Sequence, residues 1–387
     1  MNERILNTSE ELAGFLDKLA GMPCFGFDTE FIGEETYTPQ LCLIQVATTD
    51  ELVLIDPFSV GPLDEFWNLV ADPKRTVVAH AAREEIRICK KQFGKLPGRL
   101  VDLQIAAALA GYGFSLSHGT LTQELLGIRL RKGETLTDWR KRPLTSQQVQ
   151  YAFDDVRHLL PMWETLSSAL NELGRMNWAE EEFAGLVRRS VADEPGIERW
   201  RKLSGITNWD RRRLATIRAL YQWRDAKAAR QNRPVRTVVR DDLLVEIVRR
   251  NPKSAHDLEV LRGLHHREIP EVLEVVREAR ALPIEEAPQA TQFEIDPPQV
   301  ALLAGLLNAV LGNLCCRLRV APNLVASSND LKSLVRSQLN SAPPPESHPL
   351  ASGWRAKAIL PELLAVLKGQ VCVRVANLGQ ESPLKIE

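Results

Sequence analysis

The chain has 387 residues, which is room for two or three domains of about 150 residues each. Its hydrophobic fraction of 44% and charged fraction of 26% are those of an ordinary soluble protein, and no secretory signal opens the chain. The 6 cysteines show no CxxC spacing, so we expect reduced thiols in a cytoplasm and neither a zinc site nor a disulfide framework.

The longest apolar run, at 300–314, contains Asn308 and is shorter than the about 20 residues that span a bilayer. We therefore expect a buried helix there and no membrane partner. Charge is unevenly spread: residues 1–198 carry 20 basic and 30 acidic side chains, and residues 199–280 carry 20 basic and 11 acidic. This pattern fits a metal-using part beside a part that holds a polyanion, although simple variation of surface charge is the alternative.

The first strong pattern is an aromatic-rich strand at 24–31, bounded by Pro23 and Gly33. Asp28 and Glu30 lie two residues apart on it, so both project from the same face. Neighbouring carboxylates repel and raise each other's pKa unless a cation lies between them. Because oxygen ligands favour Mg²⁺ or Mn²⁺ over zinc, the strand predicts a divalent metal site. An exposed strand end is the alternative.

The following segments alternate between strands and helices. Strands are predicted at 41–47 and 51–55, where they continue the first strand as an antiparallel meander. A helix, a strand and two further helices are predicted at 63–70, 76–80, 81–93 and 103–110. This order argues for a mixed sheet covered by helices. Glu85 lies in the first turn of its helix, where an acidic residue favours the helix dipole without any other role.

A polar loop at 130–144 contains Trp139 together with Arg140 and Arg142. Cations beside an indole can hold phosphate and stack a base. Trp139 can equally anchor the loop on the core, and the sequence does not decide between the two interpretations.

Residues 145–166 read as one helix, capped by Thr145 or Ser146. Tyr151 and Asp155 are four residues apart and therefore share a face of this helix. A phenol and a carboxylate on one face can share a water molecule. An ordinary helix surface is the alternative interpretation for this stretch taken alone.

Taken together, these motifs resemble the tyrosine-containing branch of the DEDD exonuclease superfamily and, within it, the bacterial ribonuclease D family. The resemblance covers roughly residues 1–170 and rests on the segments at 27–31, 37–45, 80–82, 102–105, 139–144 and 151–160. It implies an α/β fold with a ribonuclease-H-like mixed sheet, and 3′-to-5′ exonuclease activity.

The resemblance also implies the roles of individual residues. In the family, four acidic residues hold two divalent ions, Mg²⁺ or Mn²⁺, so the metal ligands would be Asp28, Glu30, Glu85 and Asp155. Glu30 would also meet the terminal 3′ hydroxyl, and Tyr151 would hydrogen-bond the attacking water. Glu85 is a departure, because the family has Asp there, and loosely placed groups in such sites lower the rate. His80 is expected to be structural.

The second half of the chain is predicted to be helical. Residues 209–285 resemble the domain shared by RecQ-type helicases and ribonuclease D, known as HRDC, through Trp223-Arg224, Arg233-Pro234 and the helix after Asp241. Such a domain implies contact with nucleic acid, and the candidates for phosphate binding are Arg211, Arg212, Arg213, Lys227, Arg230 and Arg233. For each of them a solvated cationic face is the alternative.

Three domains are therefore expected: an exonuclease domain at 1–195, the HRDC domain at 209–285, and a second, degenerate HRDC-like helical domain at 293–375. Residues 377–387 are predicted to be unstructured. The expected function is metal-dependent trimming of the 3′ ends of structured RNA such as transfer RNA precursors, in the cytoplasm, with no obligate protein partner and with release of nucleoside 5′-monophosphates. The alternatives are an RNA-holding protein weakened by Glu85, and a DNA exonuclease.

Overall fold

The computed structural model describes residues 1–130, 137–192, 199–290 and 296–387. The expected domain boundaries at 195 and 293 lie outside these residues. The chain divides into two compact units. The first contains Met1–Glu30, Cys42–Val191 and Asp296–Glu387, and the second contains Phe31–Leu41 and Ala192–Ile295.

A six-stranded mixed sheet forms the core of the first unit, as the strand and helix pattern predicts. Its strands are β1 Asn2–Leu6, β2 Cys24–Ile32, β3 Gln40–Ala47, β4 Glu51–Ile55, β5 Thr76–Ala79 and β6 Arg99–Asp102. They lie in the order β1-β4-β3-β2-β5-β6, with β3 antiparallel to β4 and the pairs β1–β4, β2–β5 and β5–β6 parallel. Strand β1 is not among the strands predicted from the sequence. Strand β2 is an inner strand, so its carboxylates lie away from the two edge strands of the sheet.

The helices of the first unit up to residue 192 are α1 Ser9–Ala20, α2 Asp64–Ala71, α3 Arg83–Phe93, α4 Leu103–Ala110, α5 His118–Leu126, α6 Ser146–Arg157, α7 Leu159–Glu172 and α8 Met176–Ala192. The prediction of one helix at 145–166 is wrong, because α6 ends at Arg157 and α7 begins at Leu159, with His158 between them. Pro161 lacks the N–H that would bond to the Arg157 carbonyl, so a continuous helix would lose that hydrogen bond.

Packing around β2 separates its two faces. Phe25 and Phe27 are fully buried against Phe66 of α2, with ring centroids 6.5 and 6.3 Å away. On the other face, a Cβ at Gly26 would lie 3.1 Å from the side chain of Leu159, so α7 approaches the strand closely. Side chains alternate along a strand, so Asp28 and Glu30 project from the face of Gly26. Those two carboxylates therefore face the end of the sheet where α6 meets α7.

The second unit is a helical domain built on one apolar core. Its helices are α9 Arg211–Arg230, α10 Val235–Val238, α11 Asp241–Arg250, α12 His256–Glu259 and α13 Ile269–Ala281. Asp210 caps α9, and the buried core includes Trp200, Ile217, Leu220, Leu244, Ile247 and Val272. The segment Phe31–Leu41 belongs to this unit, where the Tyr37 hydroxyl donates to Asp225 Oδ2 at 2.9 Å.

The remaining elements return to the first unit. They are α14 Pro298–Leu318, α15 Pro322–Val325, α16 Ser328–Leu339, α17 Gly353–Ala358, α18 Leu360–Leu367, β7 Val373–Val375 and β8 Leu384–Ile386. The prediction that 377–387 is unstructured is wrong in part, because β8 pairs antiparallel with β7. The buried Asn313 side chain holds β8 by accepting from Leu384 N at 2.9 Å and donating to Leu384 O at 3.0 Å. This contact joins residues 71 positions apart, so the local sequence does not reveal it.

Helix α14 has 21 residues and is longer than the predicted apolar run. Among the helices of the described residues it is the one whose length and apolar composition would allow it to cross a membrane, and 44% of its apolar window is buried inside the protein. Its buried side chains include Val300, Leu307, Val310 and Leu314. As predicted, the apolar run lies in a helix that packs into the protein along one side.

Candidate active site

Strand β2 contributes two carboxylates and a buried hydroxyl to one end of the sheet. Asp28 and Glu30 are half-buried, and Thr29 between them is 5% exposed. The Thr29 amide donates to Asp28 Oδ1 at 2.8 Å, which holds this carboxylate against its own strand. The β2 strand therefore fixes the first two acidic positions with its own backbone.

Helix α3 contributes Glu85 from its first turn. Ala81, just before the helix, has a φ of 59°, and the Ala82 amide donates to Asp102 Oδ2 at 2.8 Å. Asp102 also caps α4, so one carboxylate fixes the start of both helices. Glu85 is only 5% exposed, and its Oε1 accepts a hydrogen bond of 3.0 Å from the Thr29 hydroxyl.

Helix α6 contributes Tyr151 and Asp155. A capping box of Thr145 and Gln148 starts this helix, and the two functional side chains lie one turn apart on the same face. Burial, followed by the charge of Asp155, raises the pKa of Tyr151 above its usual range. The phenol therefore keeps its proton and can serve as a hydrogen-bond donor.

The four carboxylates share one poorly solvated region. Burial raises the pKa of Asp28 to about 6, while hydrogen bonds from the Thr29 amide and the Glu85 carboxyl lower it. Burial and the charge of Asp28 raise the pKa of Asp155 to about 8. Burial, then the charges of Asp28, Asp155 and Glu85, raise the pKa of Glu30 to about 9. The pKa of Glu85 is also raised, first by burial and then by Asp28. The structure thus brings all four predicted acids into mutual electrostatic contact.

This donor set fits divalent cations chemically. It consists of carboxylate oxygens, the ligands that Mg²⁺ and Mn²⁺ prefer, and the repulsion that raises these pKa values is what a bound cation would relieve. Among the residues that the structure describes, no group of three or more His, Cys, Asp or Glu side chains is arranged closely enough to hold a metal ion.

His80 lies just before the turn that begins α3. Its Nε2 is 3.0 Å from the Leu116 carbonyl, its ring is 5.5 Å from that of His118, and burial lowers its pKa. Burial and the charge of His80 lower the pKa of His118 to about 3. These contacts agree with the expected structural role of His80.

The side chains around Trp139 mainly make contacts within the protein. Trp139 is 3% exposed, with its ring 6.0 Å from that of Tyr151, so it is buried and anchors the loop. Arg142 pairs with Asp56 and donates to the carbonyls of Cys42 and Trp139, both at 2.8 Å. Arg140 is more open and pairs with Asp138 at 2.9 Å. Residues 131–136 of the predicted loop lie outside the described residues.

The predicted phosphate contacts of the second unit differ in their surroundings. Lys227 is 6% exposed and its ammonium group pairs with Glu268 and Glu271, so burial argues against a phosphate role for it. Arg211 and Arg212 donate to the carbonyls of Ala287 and Arg280 at 2.7 and 3.0 Å. The other three candidates are exposed or half-exposed: Arg213, Arg230 and Arg233.

Sequence reasoning gave no role to Thr29 or Asp102. Asp102 does carry a local signal, since an aspartate directly before an Ala-rich helix is a favourable N-cap. The contact of Thr29 with Glu85 joins residues 56 positions apart and has no local signal.

Known proteins match both parts of the chain. A family model described as 3′-5′ exonuclease matches residues 4–171, and the HRDC domain model matches residues 213–276. Ribonuclease D of Gluconacetobacter diazotrophicus is 34% identical over 377 residues, 96% of this chain and 94% of the relative. Ribonuclease D of Acidiphilium cryptum is 33% identical over 375 residues, 95% of this chain and 94% of the relative.

Solved structures show the same similarity. The crystal structure of Escherichia coli RNase D, described as an exoribonuclease involved in structured RNA processing, aligns with a TM-score of 0.85 at 29% identity. The alignment covers 95% of this chain and 99% of that one. A protein from Bifidobacterium adolescentis aligns with a TM-score of 0.69 at 20% identity, which indicates a shared fold.

Proposed function

The chain belongs to the ribonuclease D family and is a 3′-5′ exoribonuclease, and from this we propose that it trims the 3′ ends of structured RNA such as transfer RNA precursors. We further propose that it works with two divalent ions, Mg²⁺ or Mn²⁺, and that it acts in the cytoplasm without an obligate protein partner. The observation that carries the proposal is the meeting of Asp28, Glu30, Glu85 and Asp155 beside Tyr151 at one end of the sheet.

We assign the roles of the residues as follows. Asp28 and Asp155 hold the metal next to the attacking water, and Glu30 shares that position and contacts the terminal 3′ hydroxyl. Glu85 completes the ligand set from the side of α3. When bound, two divalent ions would stabilise the charge that builds on the entering and departing oxygens.

Tyr151 orients the water and does not act as its base. Burial and three neighbouring carboxylates raise the pKa of Tyr151, so the phenol is protonated in the metal-free protein. A protonated phenol beside Asp155 can donate one hydrogen bond and accept another, which is enough to fix the direction of a water molecule. Trp139 supports this position from the buried side, with its ring 6.0 Å from that of Tyr151.

The second unit is proposed to hold the body of the RNA by its phosphates. Arg213 and Arg230 are exposed cations at the two ends of α9, and Arg233 lies just beyond the helix. Arg211 and Arg212 belong to the same basic stretch, although each also ties down a carbonyl. Such contacts would strengthen binding to any sequence and make it sensitive to salt. Lys227, which is buried in an ion pair, is left out of this assignment.

We retain the domain organisation as part of the proposal: an exonuclease domain at 1–195, an HRDC domain at 209–285 and a degenerate HRDC-like domain at 293–375. The match to the HRDC model at residues 213–276 supports the second of these. Residues from 296 onwards belong to the same compact unit as the exonuclease residues, which indicates that the third domain is fixed to the first.

The test of substrate class compares three substrates labelled at their 3′ ends: a transfer RNA with a short 3′ extension, an unstructured RNA of equal length, and DNA of the same sequence. We expect the 3′ extension to be removed with release of nucleoside 5′-monophosphates, and the DNA to be degraded more slowly. Equal rates on RNA and DNA would contradict the proposed RNA preference.

The role of the second unit is tested by salt titration of RNA binding. Replacing Arg213 and Arg230 by Gln should weaken RNA binding and reduce the salt slope by about 1 for each phosphate that is no longer neutralised. Lys368→Gln, at an exposed lysine of the first unit, is the matched control. A salt slope equal to that of the wild type would contradict the proposed phosphate contacts.

A further inference from the structure

We propose that Thr29 is a positioning residue for the metal-binding carboxylate of Glu85. The inference rests on the proposed function, because it assumes that Glu85 is a metal ligand. It concerns the hydroxyl of Thr29, which the catalytic assignments above leave without a role.

Thr29 hydrogen-bonds two of the four carboxylates. Its amide donates to Asp28 Oδ1 at 2.8 Å, and its hydroxyl donates to Glu85 Oε1 at 3.0 Å. Any residue except proline would supply the amide, whereas the second bond requires a side chain with a donor at this position. Thr29 therefore has a side-chain function that is specific to Glu85.

The strand register explains how one residue reaches both carboxylates. Gly26 pairs with Val78 and β5 ends at Ala79, so Thr29 lies beyond the last residues of β2 that pair with β5. Thr29 projects from the face opposite Asp28 and Glu30, which is the face of Phe25 and Phe27. The first turn of α3 follows β5 directly and brings Glu85 to the uncovered edge of β2. The Glu85 carboxylate thus lies between the hydroxyl on one side of the strand and Asp28 on the other.

The length of the side chain makes this contact necessary. Glutamate has one more rotatable bond than the aspartates at 28 and 155, so its carboxylate occupies a larger volume unless its far end is held. Fixing Oε1 removes that freedom and aims the carboxylate at the other ligands. Partners that orient metal ligands typically contribute 10-fold to 100-fold in metal affinity or activity. We therefore expect Thr29 to act mainly on the affinity for the metal.

A purely structural role for Thr29 makes a different prediction. If the Thr29 hydroxyl only stabilised the fold, its removal would have the same effect on Mn²⁺ binding with glutamate or with aspartate at position 85. A positioning role requires that the effect of removing the hydroxyl depend on the length of the acid, because an aspartate at 85 would be too short to keep the bond. The coupling between the two positions separates these cases.

The experiment measures Mn²⁺ binding to the full chain by titration calorimetry, for the wild type, Thr29→Val, Thr29→Ser, Glu85→Asp and the double variant Thr29→Val with Glu85→Asp. We expect Thr29→Val to weaken Mn²⁺ binding about tenfold. Thr29→Ser, which keeps the hydroxyl, should bind Mn²⁺ as the wild type does. In the Glu85→Asp background, Thr29→Val should cause no further loss. In turnover assays on RNA, Thr29→Val should raise the KM for Mn²⁺ more than it lowers kcat.

The outcomes are separable. Unchanged Mn²⁺ affinity in Thr29→Val, or an equal loss in both backgrounds, would overturn the positioning role and leave the exonuclease assignment standing. If the wild type bound no Mn²⁺ at all, both this inference and the proposed metal site would fail. Thermal unfolding of each variant identifies any loss that arises from a damaged fold, and Thr29→Ala, which also lacks the hydroxyl, replaces Thr29→Val in both backgrounds if Thr29→Val does not fold.

Discussion

The phenol of Tyr151 and the carboxylate of Asp155 lie one turn apart on the same face of α6 and influence each other's pKa. The charge of Asp155 helps to raise the pKa of Tyr151, and the nearby phenol lowers the pKa of Asp155 against the larger effect of burial. The pair therefore combines a protonated phenol, which can donate a hydrogen bond, with a carboxyl group that can ionise. Such a pair can orient a water molecule beside a metal ligand.

Replacing Tyr151 by Phe should lower kcat roughly 100-fold, a typical loss when one hydrogen-bonding group that acts in the transition state is removed. The affinity for Mn²⁺ should change little, because the phenol is not proposed as a ligand. Single-turnover hydrolysis of RNA and Mn²⁺ calorimetry measure the two effects. Tyr112→Phe, at an exposed tyrosine, is the matched control. A kcat equal to that of the wild type would rule out the proposed role of Tyr151.

Replacing Glu30 by Gln should abolish turnover and yet stabilise the metal-free protein. The pKa of Glu30 is raised to about 9, so between its usual range and pH 9 the folded state binds more protons than the unfolded state. The contribution of Glu30 to the free energy of unfolding therefore falls as pH rises through that window. Glu30→Gln removes this loss, because glutamine does not ionise. At pH 8 to 9 we expect a Tm higher by about 2–4 °C, the shift that ~1 kcal/mol produces in a domain of this size.

The gain in Tm from Glu30→Gln should disappear near pH 3, where the carboxyl is neutral in both the folded and the unfolded state. Melting curves without metal across this pH range provide the measurement, with Glu164→Gln on the exposed surface of α7 as control. A lower Tm for Glu30→Gln at pH 8 would show that the carboxylates do not repel one another in the folded protein.

Metal binding should depend strongly on pH. Ligation requires ionised carboxylates, and burial and mutual repulsion raise the pKa of Asp28 to about 6, of Asp155 to about 8 and of Glu30 to about 9. The concentration of Mg²⁺ that gives half-maximal activity should therefore fall as pH rises from 6 to 9, by about tenfold per pH unit for each proton released. Calorimetry in two buffers of different ionisation enthalpy counts these protons. Binding without proton release at pH 7 would contradict the pKa pattern.

Removing Glu182 should destabilise the first unit. Glu182 is 2% exposed and pairs with Arg355, while its Oε1 accepts from Trp354 Nε1 at 2.9 Å. Glu182→Ala would leave Arg355 buried without its carboxylate, a loss of typically 3–5 kcal/mol. Glu180→Gln, in the exposed pair with Arg99, should cost less than about 1 kcal/mol. Denaturant unfolding compares the two variants, and equal stabilities would show that the buried pair does not hold α17 to α8.

The sequence was most informative where function requires particular residues at short spacing. The pair Asp28 and Glu30 and the pair Tyr151 and Asp155 are readable because strand and helix periods place each pair on one face. The mixed sheet follows from the alternation of apolar strands with helices, and the family from ordered motifs. These features are local, so a single sequence contains them.

Long-range contacts account for what the sequence did not reveal. Strand β8 depends on the side chain of Asn313, 71 positions away. The break at His158 is different, because Pro161 is a local signal for it that the prediction of one helix overlooked. Trp139 left two interpretations open because indole burial depends on neighbours from other segments, here including Tyr151. Lys227 reads as an exposed cation until Glu268 is brought beside it by α13 folding onto α9.

The central claim is that Asp28 and Asp155 act together as metal ligands in RNA hydrolysis. The most direct measurement is the release of nucleoside 5′-monophosphates from a 3′-labelled RNA by the wild type and by Asp28→Asn and Asp155→Asn, each with Mg²⁺ and with chelator. The account predicts release by the wild type with Mg²⁺ only, and none by either variant under any condition. Release that persists in both variants, or in the wild type with chelator, would contradict it.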